Sequence, residues 1–320
     1  MTVEAADKET MVQPLDLREL LLERLRIPLI GAPMFLVSGV DLVVAQSSNG
    51  VLGTFPSKNA RTAADLVDWL DEIGQRLGES PFGVNLVAHA SNDRYEGDAR
   101  ICVDMKVPVI VTSLAPAPDL VAEVHAYGGA VLHDVTTVRH AEKALEAGVD
   151  GLVLVCAGAG GHGGKLTPFA FVPEVRQFYS GPLVVGGGVG TGGGVLAARA
   201  LGADGVYVGT RFIPTAESLA VPEYKDMVIG SQAKDVAYTP YFSGVPANYL
   251  VPSIVRAGLD VGEVIAARSR AFVSGSRHTV KAWKDIWGAG QGVGHSDGVH
   301  SAAEIIDQIA TEYDTSRGVL

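Results

Sequence analysis

The chain has 320 residues and a formal net charge of −11, with 47% hydrophobic and 19% charged residues. That length suffices for one large barrel or for two ordinary domains, with a substantial buried core. The acidic balance argues against a nucleic-acid partner, which would need a basic surface. Two cysteines cannot build a disulfide framework, and the sequence has no C-x-x-C spacing, so we predict no metal site.

The first fourteen residues are polar and acidic, and they lack the apolar segment of a secretory signal. No run in the sequence approaches 18 uncharged apolar residues, so we expect no membrane span. A reduced cytoplasmic setting is the simplest expectation for such a chain.

The dominant pattern is a short apolar run, a turn, and a longer segment with apolar residues every three or four positions. Eight runs read as strands, at 27–34, 51–55, 82–87, 107–113, 130–135, 151–157, 182–188 and 205–210. This alternation is typical of parallel β/α architecture. Eight units favour closure into a (β/α)8 TIM barrel over an open doubly wound sheet, which remains the alternative.

After the eighth run the rhythm stops. Residues 216–285 read as several helices with proline breaks, and we interpret them as a small helical insertion that covers the barrel mouth and binds substrate. The barrel domain would then comprise 1–215 and 286–320, with a final amphipathic helix over 300–312. Tyrosines of the insertion are pocket candidates, namely Tyr238, Tyr241 and Tyr249.

In a β/α barrel the site lies at the carboxyl ends of the strands, and phosphate often binds after strands seven and eight. The seventh run leads into 186–194, where seven of nine residues are glycine, including Gly187, Gly188 and Gly190. The eighth ends in Gly209 and Thr210. Glycines let a phosphate approach backbone N–H groups, and the next helix adds its positive N-terminus. These loops therefore predict a phosphate site, whereas tight turns alone would need fewer glycines.

The stretch Gly188-x-Gly190-x-x-Gly193 also fits the dinucleotide fingerprint G-x-G-x-x-G. That reading requires an acidic residue about 20 positions on, after the following strand, and the sequence has Gly-Thr-Arg there. The fingerprint would also fall on the seventh strand rather than the first. We therefore prefer the phosphate loop of a barrel.

Two histidines lie at the predicted mouth. His162 follows the sixth run inside a glycine loop with no apolar neighbours to bury it, which favours a role as a base or as a donor to developing negative charge. His133 ends the fifth run, where a cofactor contact and a structural role are equally open. The remaining histidines fall on helices or loops and are expected at the surface.

The first and third runs offer further candidate contacts. Ala32, Pro33, Met34 and Phe35 could lie against a flat ring, although ordinary barrel packing explains them equally well. Asn85 interrupts an apolar run, and its amide could hydrogen-bond the edge of a heterocycle.

These motifs together resemble the nitronate monooxygenases, formerly called 2-nitropropane dioxygenases. The resemblance covers most of the chain and is carried by PLIGAPMFLVSG (28–39), GVNL (83–86), HAEKALEAGVDGLVLVCAGAGGHGG (140–164), PLVVGGGVGTGGGVLAARALGADGVYVGTRF (182–212) and GAGQGVG (288–294). It implies a flavin-binding (β/α)8 barrel with FMN as cofactor and a small helical substrate domain.

The resemblance also implies roles for individual residues. His162 matches the histidine that acts as catalytic base in the family. FMN contacts would come from the segment Ala32 to Phe35, from Asn85 and from Gln291. The glycine-rich loops would add Gly160, Gly161, Gly187, Gly188, Gly209 and Thr210.

The finer match points to a subgroup that works as NADH:quinone reductases, through PMFLVSG, NLVAHASNDR, LHDV and KAWKDIWGAGQGVG. Two small-molecule reactions therefore stay open. Alkyl nitronates would be oxidised with O2, or NAD(P)H would reduce a quinone or an enoyl compound. A flavin-free phosphate-binding barrel, such as an isomerase or a purine nucleotide dehydrogenase, is a third alternative, although neither cysteine is placed as the catalytic cysteine of the latter. A homodimer is one arrangement open to such a chain.

Overall fold

The computed structural model describes residues 14–89, 92–269 and 280–319. Eight parallel strands close into a barrel in the order β1-β2-β3-β4-β5-β6-β8-β9. They are β1 Leu29–Gly31, β2 Leu52–Pro56, β3 Phe82–Ala88, β4 Val109–Leu114, β5 Ala130–Val135, β6 Gly151–Val155, β8 Leu183–Gly186 and β9 Gly205–Val208. The predicted (β/α)8 barrel is confirmed, and each predicted run overlaps one of these strands.

The observed strands end earlier than predicted where glycines take over. Run 182–188 ends as a strand at Gly186, because Gly187 and Gly188 adopt φ values of +142° and +71°. A residue with a side chain rarely adopts such a backbone. The chain therefore leaves the sheet at this point and enters the loop over the barrel mouth.

Side chains alternate between the barrel interior and the surrounding helices, as the pleat requires. The lower interior is apolar, and a helical segment plugs it from below with Leu17, Leu20 and Leu21. The other apolar side chains of this interior cluster come from the strands: Ile30, Leu52, Val109, Val111, Ala130, Leu132, Val153 and Val184. Polar side chains enter only in the next layer up, near the carboxyl ends of the strands.

Helices cover the outside of the barrel. The first helical elements among the described residues are the short helix α1 Leu17–Glu19 and a π-helical turn Leu20–Arg24. The barrel helices are α2 Val40–Ser48, α3 Ala63–Leu77, α4 Tyr95–Asp104, α5 Pro118–Ala126, α6 Val138–Glu146, α7 Pro168–Arg176 and α8 Gly192–Leu201. The local sequence sets the bounds of these helices. For example, α3 starts after Thr62, whose hydroxyl accepts a hydrogen bond from Asp65 N, and it ends before Gly78, which has φ +59°.

The chain ends in α12, Ala302–Val319, which extends the helix predicted over 300–312. Its buried face includes Ile305, Ile306 and Ile309, which belong to the main hydrophobic core. At Gly192 the two helices α8 and α12 approach so closely that an added Cβ would meet Tyr313 N and Ile309 O. The predicted packing of this helix back on the barrel is therefore what the structure shows.

The segment 216–285 contains the expected helices, here α9 Pro222–Ile229, α10 Val251–Arg256 and α11 Val261–Ala266. The prediction of helices alone needs a correction, because the segment also forms two strands, β10 Val236–Thr239 and β11 Ala247–Leu250. They pair antiparallel with each other, and β11 also pairs with β7 Gly161–His162 from the loop after β6. A four-residue strand whose partner lies some 85 positions away leaves no local periodicity to detect.

In the part of the chain that the structure covers, no helix is long and apolar enough to cross a membrane. Both cysteines are buried and unbridged. Expectations for the first thirteen residues and for His278 concern positions outside the described residues.

Candidate active site

Three glycine-rich loops meet at the carboxyl end of the barrel. They are 158–161 after β6, 186–190 after β8, and 288–294 before α12. Gln291 N donates to Gly158 O at 2.9 Å, and Gly290 N donates to Thr210 Oγ1 at 2.9 Å. The predicted phosphate loop and the late loop that contains Gln291 thus form one surface around the mouth.

Glycine is required at several points of this surface. A Cβ on Gly290 would lie 2.7 Å from Gly158 O, and one on Gly187 would lie 2.8 Å from Ala157 O. At Gly188 an added Cβ would meet nothing within 4 Å, so this residue faces open space. The loop packs tightly on the protein side and stays open on the other, which is the shape of a cradle for a phosphate.

The helix that follows the cradle begins with an ordered cap. Thr191 Oγ1 accepts from Gly194 N at 3.2 Å, so α8 starts immediately after the glycine loop. The partial positive charge of the α8 N-terminus therefore acts next to the cradle. Because Thr191 Oγ1 is used in this cap, Thr210 is the remaining threonine hydroxyl for contact with a phosphate.

A buried cation supports the cradle from behind. Arg211 is 2% exposed, and its guanidinium donates to the carbonyl of His295 and, at 2.7 Å, to Gln308 Oε1. A Cβ on Gly190 would lie 3.5 Å from Arg211 Cγ, so the arginine stem lines this loop. Its Nε has no partner among the described residues. The positive charge favours an anion at the loop, and Arg211 lies in the stretch 209–211 that the sequence placed at the phosphate.

The loop after β1 lies against the end of β9. A Cβ on Gly209 would be 3.2 Å from Met34 Sδ and 3.5 Å from Ala32 Cβ. Phe35 is 45% exposed at the mouth, and Leu36 has φ +61°. The predicted ring-contact segment from Ala32 to Phe35, which includes Pro33, therefore borders the cradle and presents apolar surface to the mouth.

His162 lies on β7, where the barrel and the insertion join. Its Nε2 is 2.9 Å from Ser243 Oγ, and that hydroxyl donates to Val245 O at 2.8 Å. Since the one hydroxyl proton goes to the carbonyl, Nε2 carries the proton of the His162 ring. Nδ1 then holds the free lone pair, and it has no hydrogen-bond partner among the described residues. The side chain of His162 is exposed at the mouth, and partial desolvation beside the insertion lowers the pKa of its ring below the ordinary value.

Aromatic rings form a wall beside His162. Trp283 meets the imidazole edge-on at 5.3 Å between centroids and stacks on Tyr249 at 4.8 Å. Tyr249 in turn contacts Phe242, and Phe242 contacts Tyr241. Two of the three predicted tyrosines therefore belong to this wall, while Tyr238 hydroxyl donates to Gly163 O in the histidine loop.

A polar layer lies inside the barrel at the level where Asn85 was predicted to contact the cofactor. Asn85 Nδ2 donates to Ser113 Oγ at 2.7 Å and to Val111 O at 3.0 Å. Ser113 Oγ donates to Asp134 Oδ2 at 2.7 Å. Tyr207 of β9 has a buried hydroxyl without a partner among the described residues.

His133 lies on the other side of the sheet. Its neighbours in sequence, Leu132 and Asp134, point into the barrel, so His133 points outward toward the helices. It is 2% exposed, and its Nδ1 is 2.7 Å from Thr112 Oγ1. Burial lowers the pKa of His133 to about 4, which keeps the ring neutral. Of the two roles that the sequence left open, this placement favours the structural one and separates His133 from the groups at the mouth.

The structure thus brings the glycine loops, the 32–35 segment, Asn85, Gln291 and His162 to one mouth. It adds side chains that the sequence prediction missed, namely Ser113, Asp134, Tyr207, Ser243 and Trp283. The orphaned buried atoms and the cradle open at Gly188 fit a phosphate-bearing ring cofactor. A closed parallel barrel with such a mouth defines the class of cofactor-dependent barrel enzymes.

The chain belongs to the nitronate monooxygenase family, whose model matches residues 90–312. This is a family of flavin enzymes, and the chain is an oxidoreductase of that class.

Relatives with curated names carry two kinds of description. A Rhodococcus jostii protein is 31% identical over 246 residues, covering 76% of this chain and 69% of that protein. Its name is (3aS,4S,5R,7aS)-5-hydroxy-7a-methyl-1-oxo-octahydro-1H-indene-4-carboxyl-CoA dehydrogenase. A probable nitronate monooxygenase of Staphylococcus aureus is 29% identical over 236 residues, covering 67% of this chain and 65% of that protein.

Solved structures support the same fold. FabK from Thermotoga maritima has a TM-score of 0.77 at 25% identity, covering 95% of this chain and 98% of that chain. A nitroalkane oxidase from Streptomyces ansochromogenes has a TM-score of 0.78 at 22% identity, over 95% of this chain and 99% of that chain, and shares the fold.

Proposed function

We propose that this protein is an FMN-dependent oxidoreductase that oxidises alkyl nitronates, with His162 as its base. The cradle around Gly188 and Thr210, backed by Arg211, would hold the FMN phosphate, and the 32–35 segment and Asn85 would contact the ring. When bound, FMN supplies the redox chemistry by taking electrons from the nitronate and passing them to O2. The observation that carries this proposal is the His162 ring at the mouth, whose Nδ1 has no hydrogen-bond partner among the described residues.

The base acts before any electron transfer. His162 Nδ1 accepts the proton from the carbon next to the nitro group, and the C–H electron pair moves into the nitro group to give the nitronate. Ser243 keeps the proton of Nε2 in place, so the lone pair stays on Nδ1. A preformed nitronate has already lost this proton and does not need the step.

The test compares two substrates in one variant. His162→Asn removes the base, so oxygen consumption with a neutral nitroalkane should fall by about 100-fold or more, while a preformed nitronate such as propionate 3-nitronate should retain more activity. His140→Asn, an exposed histidine on α6, is the matched control. Equal losses with both substrates would contradict a base role, and absence of nitronate oxidation in the flavin-loaded wild type would contradict the proposed reaction.

A second candidate is reduction of a quinone or an enoyl compound by NAD(P)H on the same barrel. The aromatic wall favours it, since Trp283, with the buried Tyr249 stacked behind it, offers a planar surface beside His162. The similarity to a protein named as a dehydrogenase adds support. Under anaerobic conditions, NADH should then bleach the bound flavin within seconds, with NADPH as the parallel measurement. A flavin that stays oxidised with both would eliminate this candidate.

A further inference from the structure

The polar layer inside the barrel has a defined direction of hydrogen bonding. Asn85 Nδ2 donates to Ser113 Oγ, and Ser113 Oγ donates its single proton to Asp134 Oδ2. Oδ2 therefore acts as an acceptor, and any proton on the carboxyl group belongs to Oδ1. That atom is shielded from solvent and has no partner in the described part of the chain.

A second unmatched donor lies across the barrel. The Tyr207 hydroxyl is buried and makes no hydrogen bond of good geometry among the described residues. Burial and the nearby Asp134 carboxyl raise the pKa of Tyr207 well above its ordinary value, while the Thr54 side chain on β2 acts in the opposite direction. Both residues project from strands into the layer above the apolar interior, toward the mouth. A buried polar group without a partner is unfavourable, so two of them in one layer indicate a partner that binds there.

We propose that Asp134 and Tyr207 form a hydrogen-bonding floor beneath the flavin ring, where the Oδ1–H of a neutral Asp134 and the Tyr207 hydroxyl donate to the ring and raise its reduction potential. The inference rests on the proposed placement of the flavin at the mouth. Donors held against a ring that gains electrons stabilise its reduced form. Asp134 would thereby make the bound flavin easier to reduce, whichever substrate supplies the electrons.

The floor is expected to respond to pH. Burial raises the pKa of Asp134 to about 7, with the Ser113 hydrogen bond acting in the opposite direction. Tyr207 is the titratable group that faces it from β9, Ser113 faces it from β4, and β6 contributes the apolar Val155. Above that pKa the carboxylate loses the Oδ1 donor and places a negative charge below the ring. Both changes disfavour electron uptake, so the potential should fall more steeply with pH beyond this point.

The test is the midpoint potential of the FMN-loaded enzyme, measured by equilibration with a reference dye across a pH series that spans this value. Asp134→Asn can present an N–H at the Oδ1 position and still accept from Ser113, so it should keep the low-pH potential and remove the pH break. Asp134→Ala should shift the oxidised-to-reduced equilibrium about tenfold toward the oxidised flavin, which is about 30 mV for a two-electron couple. Tyr207→Phe should shift it in the same direction.

Thr112→Val is the matched control, because it removes a buried hydroxyl from the neighbouring position of β4 on the outer face of the sheet. It should leave the potential and its pH dependence unchanged. An Asn variant that retains the pH break, or an Asn variant whose potential falls as far as expected for Ala, would overturn the inference even if Asp134→Ala fails to fold. A wild-type protein that takes up no flavin would overturn the proposed function, whereas a flavin-loaded protein indifferent to Asp134 would overturn this inference alone.

Discussion

At the level of single residues, the chemistry of His162 depends on Ser243. The serine hydroxyl accepts a hydrogen bond from Nε2 and donates one to Val245 O, so it fixes which nitrogen of His162 carries the lone pair. Partial desolvation at the same place lowers the pKa of the imidazole. A histidine that must act as a base loses activity when pH falls below its pKa, so the acid limb of the rate profile should lie below the ordinary value of about 6.5.

We predict that Ser243→Ala lowers kcat/KM for a neutral nitroalkane about fivefold, the worth of one neutral hydrogen bond of about 1 kcal/mol. Water replaces the hydroxyl, so the pKa of His162 should rise toward its ordinary value and the acid limb should move to higher pH. The measurement is a pH series of kcat/KM, with Ser80→Ala at the opposite end of the barrel as the control. An unchanged profile would show that Ser243 does not tune His162.

Residue-level prediction from sequence is most direct where chemistry follows from residue type. Glycine clusters and a histidine among them are visible without any structure, and the structure brings them to one mouth. The polar floor was not visible, because Asp134 and Tyr207 each interrupt an apolar run in a way that gives no information on their partners. For His133 and Asp134, a one-residue difference in the pleat decides which side chain enters the barrel.

At the level of elements, the cradle depends on how α8 and α12 pack. Gly192 is the first residue of α8, directly after the glycine loop 186–190 and its cap Thr191. An added Cβ there would meet the backbone of α12 at Tyr313 N and Ile309 O. Backbone atoms cannot rotate away as the end of a flexible side chain can. The two helices must therefore separate to admit even a methyl group.

We predict that Gly192→Ala destabilises the protein by about 1–3 kcal/mol, as overpacking does. Gly193→Ala is the matched control, since the nearest atom to its added Cβ is Ser316 Oγ at 3.7 Å. It should be neutral or stabilising by about 0.5–1 kcal/mol, because alanine favours a helix over glycine. Urea unfolding midpoints of both variants give the comparison, and equal midpoints would mean that α12 yields without cost.

The barrel elements were predictable because each β/α unit repeats a local pattern and the strands come in sequential order around the barrel. The strands of the insertion were harder to predict from the sequence. Strands β10 and β11 are short, and part of their sheet comes from β7. Such pairing depends on a distant residue, so no window of sequence contains it.

At the scale of the whole molecule, the proposed cofactor site joins distant parts of the chain. Loops after β1, β6, β8 and β9 meet the late segment 288–294, which is held by Gly290 N on Thr210 and Gln291 N on Gly158 O. A ligand that contacts all of them binds the folded state and not the unfolded chain. Its binding free energy therefore adds to stability.

We predict that FMN at about 100 times its Kd stabilises the apoprotein by about 2.7 kcal/mol, seen as a rise in Tm. Riboflavin carries the same ring without the phosphate, so it should stabilise less if the cradle holds the phosphate. Equal shifts with both ligands would contradict the phosphate assignment. No shift with either ligand would argue against flavin binding at this mouth.

The pairing of β7 with β11 has a consequence for how such enzymes can change. His162 is carried by the strand that completes the sheet of the insertion, with Ala247 as its register partner. Exchange of the insertion for that of a relative would therefore replace the scaffold of the histidine together with the pocket. Under the proposed function, substrate range and proton transfer would be inherited as one unit, so a chimera would need the 158–164 loop together with the insertion.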